Sequence, residues 1–89
     1  MAFTDVETAR VHDAVNTDPS GEDLCKLGLL YSTGQGGTID FIEAHKWFNL
    51  AAMRGMLSAQ IDRAEVADTM SNGEISEAQR KAREWMVAH

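Results

Sequence analysis

The chain has 89 residues, 44% of them hydrophobic, enough for one small domain with a modest core. Its formal net charge of −6 repels phosphate backbones and anionic lipid, which argues against nucleic-acid and membrane-surface roles. The single cysteine excludes an intrachain disulfide, no apolar run approaches the ~18–20 residues of a membrane span, and no charged-then-apolar leader is evident, so a cytoplasmic protein is expected.

Thr4 and Glu7 have capping-box spacing and predict a first helix over roughly Asp5 to Asn16. The stretch from Asn16 to Gly21 breaks it, with the only proline, Pro19, inside the break. Ser20 followed by Asp23 reads as an N-cap with an acidic first turn, opening a second helix that reaches about Ser32. Leu24, Leu27, Leu30 and Tyr31 share one stripe of that helix. A glycine loop holding Gly34, Gly36 and Gly37 follows. Asp40 and Glu43 then open a third helix that runs to Arg54, with Gly55 as its left-handed stop. A fourth helix is expected from Leu57 to Met70, broken by Ser71-Asn72-Gly73-Glu74-Ile75. Ser76 with Gln79 opens a fifth, through Val87. Asp5, Glu7, Asp13, Glu22 and Asp23 cluster near helix starts, where they offset the helix dipole. No segment alternates as a half-buried strand does, so the expected class is all-α with about five helices. Short helices of this kind are marginal alone and must lean on neighbours, as antiparallel hairpins joined by short loops.

The motifs for chemistry are absent or incomplete. A phosphate loop needs a preceding strand and a lysine after its last glycine; here a helix precedes the glycines and Asp40 brings negative charge instead. Cys25 has no local base or orienting group to make it a nucleophile. His12, His45 and His89 lack ligand spacing, so no metal and no cofactor is expected, and His45 beside Lys46 is placed on the solvent side of its helix. Trp85, Ala78 and Ala82 form a stripe on the last helix, read as core, with a dimer seam as the other use. Leu29, opposite the Leu27–Tyr31 stripe, and Met53 and Met56 around Gly55 are the apolar residues that hint at contacts, although filling core gaps is the commoner use of methionine.

Helix–loop–helix occurs twice, and Glu43-Ala44 recurs as Glu77-Ala78, a spacing in the mid-thirties that suits a helical solenoid ending in a cap. Gly28 within a helix costs ~1 kcal/mol against Ala, which implies a second helix passing close. Ala44, Ala51 and Ala52 are small on the facing helix for the same reason, and Trp47 is the residue expected to fill the gap.

These residues carry a resemblance. Leu27, Gly28, Tyr31, Gly34, Gly36, Asp40, Ala44, Trp47, Phe48, Ala51, Ala52, Gly55, Ala59 and Gln60 follow, in identity and spacing, the pattern of Sel1-like repeats, relatives of the tetratricopeptide repeat. Two positions depart from it: Gly37 stands where a small aliphatic residue is usual, and the second unit lacks the Leu-Gly and Tyr. The resemblance implies a short right-handed α-α superhelix. Residues 1–19 would form an N-terminal helix and turn, 20–56 the repeat and 57–89 a degenerate capping hairpin, all one compact unit. It further implies a non-enzymatic adaptor or scaffold that holds a segment of another protein on its concave face, lined by Glu22, Cys25, Leu29 and Ser32 and, further on, by Ile61, Glu65 and Asp68. The acidic balance favours a basic or amphipathic segment as ligand. The alternatives are a self-associating structural protein, a homodimer through apolar helix faces at Trp85 or Leu29, and, more remotely, a small enzyme.

Overall fold

Ser20 opens the first helix of the computed structural model, which describes residues 19–89. Its hydroxyl accepts from the Asp23 amide while the Asp23 carboxylate accepts from the Ser20 amide, so two donors that a helix start leaves unpaired are satisfied. This helix, α1, spans Gly21–Thr33; α2 spans Phe41–Met53, α3 Leu57–Ala67 and α4 Asn72–Ala88. The described residues form helices and connecting turns, with no strand. The helix expected over Asp5–Asn16, with His12, Asp5, Glu7 and Asp13, lies outside the described residues. None of the described helices is long and apolar enough to cross a membrane.

Glycine stops α1. Gly34 takes φ 75° and its N–H donates to the Leu30 carbonyl, closing the helix in the left-handed conformation that side chains disfavour. Gly37 at φ 107° turns the chain back, so the position that departs from the repeat pattern is one whose backbone suits glycine. Asp40 completes the hairpin. Its amide donates to the Tyr31 carbonyl (3.0 Å) and its carboxylate caps α2 by accepting from the Glu43 amide (3.1 Å). The loop is therefore a structural clasp between two antiparallel helices.

Packing of α1 on α2 turns on one close approach. A Cβ built on Gly28 would lie 2.5 Å from the Phe48 ring, nearer than real carbon atoms come. The ring seated on the bare backbone is thus Phe48, and the expectation that Trp47 fills this gap is corrected. Successive helix residues point about 100° apart, so Phe48 and Trp47 face different neighbours. Trp47 instead meets Trp85 of α4 edge-on (5.9 Å, 80°) and has the Lys46 ammonium over its ring at 4.1 Å.

Helix α2 is the hub. It packs against α1, α3 and α4, and buries Ala44, His45, Trp47, Phe48, Leu50 and Ala51. The expected solvent placement of His45 is therefore wrong. The residue is 3% exposed, on the α2 helix whose Asn49 meets Arg63 of α3. Arg63 of α3 donates to Asn49 one turn along, and its charge, after burial, helps to lower the His45 pKa.

Pairings across the core fix the helix directions. Gly21 lies near Ala51 and Arg54, Gly28 near Phe48 and Tyr31 near Asp40, so α1 and α2 run antiparallel. Glu43 pairs with Lys81 and Trp47 with Trp85, so α2 and α4 run the same way.

The last helix begins earlier than expected. Ser71 and Glu74 form a complete capping box, and Asn72 and Gly73 lie inside the first turn of α4. The break read from Asn72-Gly73 is thus a helix start, and α3 ends at Ala67. Ala78 and Ala82 are buried on α4, with Trp85 half-buried against the core, as the stripe predicted.

Candidate partner-binding groove

Two helices that run the same way leave a furrow between them. Cys25 Sγ of α1 donates to Asp62 Oδ2 of α3 (3.8 Å), and about two turns further along, Ser32 and Thr33 of α1 stand across from Thr69 just past the end of α3. The furrow holds about 300 Å³. Phe41 and Phe48 of α2 line it together with Leu29 of α1 and Val66 of α3, and Asp62 and Glu65 add carboxylates from α3. Its lining is thus apolar side chains beside acid.

The hydroxyls of this groove are engaged within their own helices. Ser32 and Thr33 donate to the Leu29 carbonyl (3.3 and 2.6 Å), and Thr69 donates to the Val66 carbonyl (2.8 Å). With those protons committed, hydroxyls and carboxylates alike present lone pairs. A ligand fitted to this groove brings donors or positive charge.

Of the residues expected at a binding face, the structure brings Leu29, Ser32 and Glu65 together. Cys25 lies under the groove. It is 5% exposed, and burial first, then the nearby Asp62 charge, push its thiol up to about 11. It stays protonated at neutral pH, the opposite of an activated nucleophile. Glu22 is exposed at the start of α1 and pairs with Lys26 (3.7 Å). Ile61 and Asp68 sit on the far side of α3, away from the groove; Ile61 is 63% exposed.

Sequence reasoning missed Thr33, Phe41, Phe48, Asp62, Val66 and Thr69. Val66 was the available signal on α3: with Ala59 it marks the inward face, which turns Asp62 and Thr69 toward α1 and Ile61 away.

A second depression, of about 220 Å³, lies at the C-terminal ends of α2 and α4 between Leu50, Met53, Arg54, Trp85, Met86 and His89. His89 stacks on Trp85 (4.3 Å, 9°), and Arg54 Nη1 donates to the Pro19 carbonyl (2.8 Å), tying the chain entering α1 to the end of α2. Met53 is exposed, as the sequence suggested, whereas Met56 packs partly against the core. Among the described residues, no three of His, Cys, Asp and Glu gather as metal ligands. No protein-family model, curated protein or solved structure matches this chain.

Proposed function

We propose that the protein is a non-enzymatic adaptor of the Sel1-like repeat type, which holds a basic or amphipathic segment of another protein in the groove between α1 and α3. The observation that carries this reading is the pairing of Leu29, Phe48 and Val66 with Asp62 and Glu65 in one open furrow. Apolar anchors of a helical segment would fit the first set, and lysine or arginine at helical spacing the second. The resemblance supports the same reading, because Leu27, Gly28, Asp40, Ala44 and Ala51 lie at the contacts and turns that build the first hairpin. In this reading residues 1–19 add a fifth helix and turn, 20–56 are the repeat and 57–89 its cap, in a right-handed stack working in the cytoplasm.

Selection from a random peptide display library tests it. Peptides enriched on the wild-type protein should carry Lys or Arg beside apolar residues at i, i+3 or i+4 spacing, and should lose binding to Leu29→Asp and Glu65→Lys. Enriched peptides that bind both variants as well as wild type would overturn the assignment.

A further inference from the structure

The face of α3 turned away from the core carries a pattern that the described residues leave unmatched. Leu57, Ile61 and Ala64 fall on one stripe, on the side opposite the buried Ala59 and Val66. Leu57 is 75% exposed and Ile61 63%. Large aliphatic side chains so exposed, one turn apart on the same helix, make a ridge open to docking.

Both ends of α3 also break the rules the other helices follow. Ser20, Asp40 and Ser71 cap α1, α2 and α4 with side-chain oxygens, and each of those helices has an acidic residue in its first turn. At α3 the N-cap is Met56, which makes no side-chain cap, and the first turn has no acid. Asp68 stands at the other end as C-cap, where the helix dipole is already negative. Local faults of this kind, confined to one element, mark places where something outside the element compensates.

We infer that a second copy of this chain docks on this face, α3 against α3 in antiparallel order. Reversed along itself, α3 matches its own pattern. Asp68 of each copy comes opposite the uncapped N-terminus of the other, where a carboxylate is favourable. Ile61 comes opposite Ala64, large against small, around the two-fold axis. Parallel packing would bring Asp68 against Asp68 and leave both N-termini unmatched. A basic segment would suit Asp68 but face the positive helix start at the other end. The two-fold arrangement uses one patch twice and closes on itself as a dimer. The inference is independent of the groove, which opens on another side of α3.

The test is the mass of the full chain by sedimentation equilibrium over a range of concentrations. Wild type gives a two-chain mass that dissociates on dilution. Ile61→Glu and Ala64→Arg, both at exposed positions, give a single-chain mass with an unchanged far-ultraviolet helical signal. Asp68→Lys raises the dimer dissociation constant by about tenfold, while the thermal midpoint of the dilute monomer holds or rises, because the acid at the negative helix end is gone. A single-chain mass at every concentration overturns the inference, and so does a dimer that survives both Ile61→Glu and Ala64→Arg.

Discussion

The two helix pairs, α1 with α2 and α3 with α4, are held in the fold differently. In the first, α1 and α2 bury large side chains against each other: Leu24, Leu27, Leu30, Phe48 and Leu50 are all within a few per cent of full burial. In the second, the fully buried positions are alanines, Ala59, Ala78 and Ala82, joined by a nearly buried Val66, while Leu57, Ile61, Met86 and Val87 face outward. Both α3 and α4 lean chiefly on α2. The first hairpin is thus a platform with its own core and the second a cover laid on it, and the groove forms where α3 meets α1 at the platform's edge.

The largest effect should come where the cover meets the platform. Trp47→Ala removes the indole that joins α2 to α4 and should cost ~3–5 kcal/mol, a large part of the ~5–15 kcal/mol of a small domain, so cooperative thermal unfolding should be lost. Val66→Ala, at the seam of the cover, should cost about 2 kcal/mol and leave a cooperative melt at a lower midpoint. Equal losses in the two variants would contradict this ranking of the seam contacts.

pH probes the seam itself, because Cys25 and His45 belong to the platform and meet Asp62 and Arg63 of the cover. The folded Cys25 thiol is raised from 9.0 to about 11, so above pH 9 the unfolded chain releases this proton first. Stability should therefore fall between about pH 9 and 11, by roughly 2–3 kcal/mol, and the slope should flatten in Cys25→Ser. His45 has the reverse sign. Its folded pKa lies below 6.5, so the unfolded chain binds the proton first as pH falls. Stability should decline below that pH, and less in His45→Gln; urea midpoints across the pH range measure both arms.

Much of the platform was legible because its residues have few alternatives. Gly28 in a helix demanded a close neighbour, Asp40 and Glu43 announced a helix start, and Gly34 and Gly55 announced stops. What stayed hidden depended on neighbours that no single helix reveals. His45 looks solvated on α2 alone, yet the assembled fold buries it within reach of the Arg63 charge of α3. Trp47 and Phe48 are adjacent, and composition does not say which ring seats on Gly28. On α3 the motif residues that would fix rotation are missing, so the sequence points to Ile61 and Asp68 where Asp62 and Thr69 line the groove. The start of α4 is hidden because Asn72-Gly73 resembles a turn, although Ser71 and Glu74 form a capping box around it.

Two smaller effects sharpen the comparison. Gly28→Ala gains helix propensity but drives a methyl into the Phe48 ring, for a net loss of ~1–3 kcal/mol in urea unfolding that Phe48→Leu should partly relieve. Ser58→Glu, at an exposed position in the first turn of α3, should raise stability by ~0.3–1 kcal/mol, because that turn holds no acid. The same change in the first turn of α1, which already has Glu22 and Asp23, should add less.

The groove itself is tested most directly by mapping a library-selected cationic peptide onto the isotope-labelled protein through its amide resonances. Shifts should concentrate on Leu29, Ser32, Thr33, Glu65 and Thr69, with Glu65→Lys removing them. Shifts confined to the Met53, Trp85 and Met86 depression would contradict the account.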